Sequence, residues 1–359
     1  MQTLSQLCQI LMDRKGSDLH LVTGSPPRIR VDGCLLTLDG PSLTAMDVQR
    51  LRSDLLTEYG HRGGENLTEF DASFGIPGIG RFRCHVSTQR GTPSLALRAI
   101  PMTVPSFEKL GLPPVIRELV RKPKGLVFIT GPAGSGKSTS VAAMIDLINE
   151  ERRVHIVTIE DPIEFLHSHK GSIVNQREIG LDAPDFPTAL AGTLRQDPDV
   201  VCLGELRDWL AVQAALMCAE TGRLTLATCR TNSVIQTINH LISLGPPQLQ
   251  MDLRINLSAA LEGVLSQRLV PRSAGKGRVL ALEVLVPTPA VRNLIREGKI
   301  HQIYSIMQTG QARHGMQTLN QALVDLCKRQ EISPNEAKKI SPHPEELLKL
   351  LGRNKVLPL

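Results

Sequence analysis

Gly131-Pro-Ala-Gly-Ser-Gly-Lys137-Ser138 is a complete P-loop signature, and its flanks decide how it is read. The apolar run Gly125-Leu-Val-Phe-Ile-Thr130 precedes it and Ser140-Val-Ala-Ala-Met-Ile-Asp-Leu-Ile148 follows it, which predicts a strand, a glycine loop and a helix in that order. Such a loop turns backbone N–H groups toward the phosphates of a nucleoside triphosphate at a helix N-terminus. Lys137 reaches the phosphates and the Ser138 hydroxyl faces Mg²⁺. The sequence therefore predicts binding of ATP or GTP by Gly131, Pro132, Ala133, Gly134, Ser135, Gly136, Lys137, Ser138 and Thr139.

Hydrolysis also needs a group that activates water near the γ-phosphate. Asp199-Val-Val-Cys-Leu-Gly-Glu205 reads as an apolar strand ending in a carboxylate, which makes Glu205 the candidate general base. The alternative for this residue is an edge acid paired with Arg207. A second acidic end, Thr158-Ile-Glu-Asp-Pro-Ile-Glu164, follows the strand His155–Ile159. Glu160 there is the candidate for holding Mg²⁺ through water or orienting the nucleophile, whereas Glu164 reads equally well as a solvated acid. Arginines that would meet charge developing on the phosphate are Arg81 and Arg83, Arg98, and further along Arg195, Arg207 and Arg230.

A length of 359 residues predicts two or three domains. The net charge of +6 is mild, without a run of five like charges, and the ten aromatics (Trp 1, Tyr 2, Phe 7) give little for base stacking, so no nucleic-acid partner is expected. Cys8, Cys34, Cys84, Cys202, Cys218, Cys229 and Cys327 are scattered without a C-x-x-C pair, which predicts reduced, mostly buried thiols and no zinc site. The N-terminus lacks a secretory pattern, and no apolar stretch of about 18 residues occurs. A cytoplasmic protein that at most docks on a membrane complex is expected.

Residues 1–98 read as a small α+β domain: a helix over Leu4–Arg14, strands at Asp18–Val22 and Arg28–Val31 closed by an Asp32-Gly33 turn, a helix over Ala45–Tyr59, and strands at Gly80–Val86 and Ser94–Arg98. Prolines at positions 101, 105, 113, 114 and 123 mark a linker over 99–112. From 113 to 340 apolar strands alternate with helices, the pattern of an α/β domain with a largely parallel sheet. Its strands are predicted at Leu126–Thr130, His155–Ile159, Val200–Leu203, Leu224–Thr228 and Val279–Val286. The spacing of Leu253, Leu257, Leu261 and Leu265 predicts one amphipathic helix over Leu249–Leu265, and 341–359 reads as a loose tail.

The set Gly131–Ser138, Thr158–Glu164, Asp197-Pro-Asp-Val-Val-Cys-Leu-Gly-Glu-Leu-Arg-Asp208 and Ala219-Glu-Thr-Gly222 closely resembles the secretion ATPase superfamily of type II secretion and type IV pili. There the set forms the Walker A, Asp box, Walker B and approach to the His box. Ala290-Val-Arg-Asn-Leu-Ile-Arg-Glu297, Gly16–Leu21, Gly24–Arg28 and Asn175-Gln-Arg-Glu178 resemble the twitching-motility retraction branch, so similarity spans roughly residues 4–330. The lack of the four-cysteine insertion of assembly ATPases favours the same branch. As a plain amphipathic helix, 290–297 would pack Val291, Leu294 and Ile295 and expose Arg292, Arg296 and Glu297.

The resemblance implies a PAS-like domain followed by a RecA-like P-loop domain. It further implies a homohexameric ATP-driven motor, its ring open to mixing with a paralogue, acting on a pilus platform protein at the inner face of the inner membrane. Arg81, Arg83 and Arg98 match family positions where first-domain arginines approach the phosphates. The chain departs from the family in its His box, where both histidines are replaced by Arg223 and Arg230. Guanidinium is permanently charged and only donates, so Arg230 is expected either to hold phosphate in an active motor or to accompany weak turnover in an accessory subunit.

Overall fold

The computed structural model describes residues 2–31, 33–58, 68–101, 103–274 and 277–353. The chain divides into two compact units, residues 1–103 with 164–166 and residues 104–163 with 167–359.

The first unit folds helices α1 (Leu4–Asp13) and α2 (Ala45–Glu58) against one sheet. Its strands are β1 (Asp18–Val22), β2 (Arg28–Val31), β3 (Cys34–Thr37), β4 (Phe70–Ile76), β5 (Gly80–Gln89) and β6 (Thr92–Ile100). They pair antiparallel in the order β3-β2-β1-β6-β5-β4. Thr3 and Gln6 form a reciprocal capping box that starts α1. Strand alternation sends Phe82, Cys84, Leu95 and Leu97 into a core with Leu7, Leu11, Leu51 and Leu55. Arg83 and Arg98 are left as register partners on the opposite face. Strands β3 and β4 were not legible: β3 is an exposed edge with no buried position to create a pattern, and Asp32 and Tyr59 lie outside the described residues.

The second unit is built on β7 (Gly125–Thr130), β8 (His155–Glu160), β9 (Ile173–Glu178), β10 (Val200–Glu205), β11 (Leu224–Cys229), β12 (Leu261–Pro271) and β13 (Arg278–Leu285). They run β13-β12-β7-β11-β10-β8-β9 and are parallel except for β13. Its helices are α3 (Pro114–Val120), α4 (Lys137–Glu151), α5 (Phe186–Leu194), α6 (Trp209–Glu220), α7 (Val234–Leu244), α8 (Gln250–Ala260), α9 (Pro289–Arg296), α10 (Ile303–Thr309), α11 (Gln311–His314), α12 (Leu319–Lys328), α13 (Pro334–Ile340) and α14 (Pro344–Arg353). Every residue of β7 is buried because both sheet faces are covered. Leu126 and Phe128 enter the core shared with α6, α7 and α8, while Val127 and Ile129 enter the core shared with α3 and α4.

Three expectations are corrected. The helix expected over Leu249–Leu265 ends at Ala260, and Leu261 and Leu265 belong to β12. A spacing of four is compatible with one face of a helix and one face of a strand, so leucine periodicity alone could not place the boundary. The tail is not loose over its helical part: Leu347 and Leu351 of α14 are fully buried with Leu323 and Val324 of α12. Arg292 is half-buried rather than exposed, donating to the Ser258 and Ala259 carbonyls at 2.7 and 2.9 Å and to Glu262 at 2.8 Å. It thereby caps the end of α8.

Glu283 on β13 is 4% exposed and accepts the Val234 N–H at the start of α7 at 2.9 Å. Burial pushes its carboxyl up to about 7, partly opposed by that N–H and by the charge of Arg268. The folded state therefore holds a proton that the unfolded chain releases near pH ~4.3, and the stability tied to it is lost as pH rises through about 7. Glu283→Gln keeps an acceptor for Val234 without an ionisation. Denaturant titrations across this window should show the variant gaining on the parent, by on the order of 3 kcal/mol above neutrality. A parallel pH profile for the two proteins would contradict the assignment.

Candidate functional site

The loop after β7 has the geometry a phosphate cradle needs. Gly131, Gly134 and Gly136 have φ of 144°, 73° and 88°, in the region L side chains rarely adopt. A Cβ on Gly131 would sit 2.6 Å from both the Gln267 carbonyl oxygen and Ser135 Oγ. Gly136 is the N-cap of α4 and offers no capping side chain, so the leading N–H groups of that helix remain for an anion. Ser135 is buried and its hydroxyl has no hydrogen-bond partner among the described residues. Lys137 Nζ donates to the Gly131 and Pro132 carbonyls at 2.8 and 3.0 Å, which sets the ammonium against the loop. Ser138 and Thr139 follow in the first turn of α4. A cleft of about 420 Å³ beside Pro132–Ser135 adds the positive side chains of Arg268, Arg278 and Lys339.

Neighbouring elements brace this loop. Thr130 Oγ1, ending β7, lies 2.6 Å from both the carbonyl oxygen and the hydroxyl of Thr231, which in turn lies 2.7 Å from the Thr237 hydroxyl. Buried Gln267 on β12 donates to Ser140 Oγ of α4 at 2.7 Å. Neither Thr231 nor Gln267 carried a distinguishing sequence signal, because each acts through contacts far along the chain.

Glu160 and Glu205 end the parallel strands β8 and β10, so both leave the sheet at its C-terminal edge, where the P-loop leaves β7. They line a cleft of about 200 Å³ with Asp161, Gly204, Arg207 and Asp208. Glu160 Oε1 accepts from Thr158 Oγ1 at 2.6 Å and from Gln176 Nε2 at 3.1 Å. Glu205 Oε2 accepts from Arg207 Nε at 3.3 Å, and Glu205 Oε1 is ion-paired with Arg230 Nε. Arg207 also reaches Asp161 at 3.4 Å. The pairing with Arg207 raised as an alternative for Glu205 is therefore present, at the edge where a base is needed. Arg230, expected either to hold phosphate or to accompany weak turnover, is ion-paired with the carboxylate of Glu205.

The hydroxyl of Ser138 and the carboxylate of Glu160 are hard oxygen donors of the kind Mg²⁺ takes. Arg81, Arg83 and Arg98 belong to the first unit, where Arg83 pairs with Asp71 at 3.4 Å and Arg98 with Asp18 at 2.9 Å. Six of the seven cysteines are buried, Cys34 being exposed, and all are free thiols. Among the described residues no cluster suited to a metal and no helix long and apolar enough to cross a membrane occurs.

Residues 81–333, which contain the P-loop and both carboxylates, match the family model described as type II/IV secretion system protein. This chain belongs to that family. It is 41% identical over 342 residues to the type IV pilus retraction ATPase PilT of Pseudomonas aeruginosa, covering 95% of this chain and 99% of that protein. A twitching motility protein of Neisseria gonorrhoeae is 41% identical over 89% of this chain and 86% of its own length. The type IV pilus ATPase PilU of P. aeruginosa is 37% identical over 92% of this chain and 87% of its own length. A crystal structure of the pilus retraction motor PilT with bound ADP superposes with a TM-score of 0.90 at 45% identity, covering 97% of this chain and 100% of that one.

For this family member the Gly131 position is the most sterically demanding point of the loop. Gly131→Ala should weaken binding of a fluorescent ADP analogue by at least about tenfold, since the new methyl must displace the Gln267 carbonyl or the Ser135 hydroxyl. Unchanged affinity in a fluorescence titration would show that the loop does not hold the phosphates.

Proposed function

We propose that this chain is the ATP-hydrolysing subunit of a hexameric motor that drives type IV pilus retraction. The observation that carries the reading is the convergence of the P-loop, Glu160 and Glu205 on one edge of the parallel sheet. It occurs in a chain whose relative of 41% identity, matched over 95% of this chain, is a type IV pilus retraction ATPase.

The phosphates of ATP lie against the N–H groups of Gly131 and Ala133–Thr139, with Lys137 neutralising their charge. Mg²⁺ would be held by Ser138 and, through water, by Glu160, and supplies charge neutralisation on the transferring phosphoryl group. Glu205 accepts the proton of the attacking water. Arg81, Arg83 and Arg98 are assigned to the phosphates on the family resemblance alone. Domain closure on ATP is coupled to movement of a platform protein at the cytoplasmic face of the inner membrane.

One observation favours a second reading, a weakly hydrolysing accessory subunit that shares its ring with a paralogue. Both Glu205 oxygens are engaged by guanidinium groups, so an attacking water must displace or share one of these contacts to reach the carboxylate. The same site serves both readings; they differ in rate.

Lys137→Ala should remove ATP turnover together with nucleotide affinity. Glu205→Gln should lower turnover by at least about 100-fold while ADP-analogue binding persists. Turnover surviving either change in a phosphate-release assay overturns the hydrolytic reading. Rapid turnover by the purified parent alone argues against the accessory one.

A further inference from the structure

The β9 segment Asn175-Gln-Arg-Glu178 has no role in the chemistry described above, yet its side chains fasten what surrounds Glu160. Gln176 Nε2 donates to Glu160 Oε1 at 3.1 Å, and its Oε1 accepts the His167 N–H at 2.9 Å. Buried Glu178 accepts the Ile163 N–H through Oε2 at 3.1 Å. Arg177 donates to the Ala189 carbonyl at 2.7 Å, fixing β9 to α5. The strand itself is paired in parallel with β8, from His155↔Ile173 to Glu160↔Glu178.

We infer that Gln176 is the positioning residue for Glu160: its amide spans the Glu160 carboxylate and the His167 backbone, and together with Thr158 it fixes the carboxylate for its part in the reaction. The inference rests on the proposed role of Glu160. Two donors converge on one oxygen, Thr158 Oγ1 at 2.6 Å and Gln176 Nε2 at 3.1 Å. That removes rotational freedom about the last side-chain bond, which an exposed glutamate otherwise keeps. The Thr158 side chain is wholly buried and Gln176 is anchored by a backbone donor, so neither partner can follow the carboxylate if it turns. Such supporting hydrogen bonds are worth about 10–100-fold in activity where they have been removed around active groups.

Gln176→Glu tests this in the full-length protein. It preserves size and the acceptor for His167 but replaces the donor facing Glu160 with a second carboxylate. Thr158→Val removes the other donor with little change of volume and serves as an independent variant. Each is made in the parent and in a Glu160→Ala background. We expect kcat for ATP to fall by about tenfold in each single variant, with KM for ATP, metal-free affinity for a fluorescent ADP analogue and the melting temperature held near parent values. In the Glu160→Ala background neither change should lower kcat further.

Parent-like kcat in both variants overturns the inference. So does an equal loss with and without Glu160, or a loss that appears only together with weakened nucleotide affinity or a lowered melting temperature. Parent-like turnover by Glu160→Ala itself also overturns it, while leaving the hydrolytic reading intact. Failure of that reading is seen separately, as turnover that survives Lys137→Ala.

Discussion

Parallel pairing of β7, β11, β10 and β8 is the constraint on which everything at the site depends. Parallel neighbours must be joined by crossovers, so helices cover both faces and the strands become continuous apolar runs. All of these strands then end on one edge. Lys137, Glu160, Glu205 and Arg230 are far apart in the chain, yet each lies at or just beyond a strand end on that edge. Their proximity needs no specific attraction among them, because sheet register already supplies it.

Once gathered, the charges satisfy one another. Glu205 is held between Arg207 and Arg230, and Arg207 extends the chain of charge to Asp161. The side chain of Arg230 is 65% exposed and that of Arg207 58%, so these pairs are screened by water and contribute little to stability. Their importance is chemical. They decide which lone pairs of Glu205 are open to water. Glu160 Oε1, by contrast, takes donors from a hydroxyl and an amide, those of Thr158 and Gln176.

The P-loop was legible because its function requires glycines at backbone angles other residues avoid, and the observed φ values at Gly131, Gly134 and Gly136 supply that reason. The apolar strands were legible because burial on both faces leaves no polar positions. The edge strand β3, the helix-to-strand change at Ala260 and the packing of α14 were not. In these cases exposure erased the pattern, periodicity fitted two structures, or proline-rich flanks masked a short amphipathic run. At the site, the residue types of Glu160 and Glu205 were apparent from their strand ends. The roles of Gln176, Thr231 and Gln267 were not, since long-range hydrogen bonds leave no local signature. Arg230 stood out as a departure from the family's pattern, but only the fold placed it on Glu205.

We propose that Glu205 acts as the base and that Arg230, ion-paired with it, restrains it. Single-turnover hydrolysis of ATP by the parent and by Arg230→His measures the chemical step apart from product release. Relief of the ion pair predicts a faster chemical step in the variant, by about two- to fivefold for an exposed pair, with ATP affinity unchanged. A slower step accompanied by weaker ATP binding would contradict the account and place Arg230 on the phosphates.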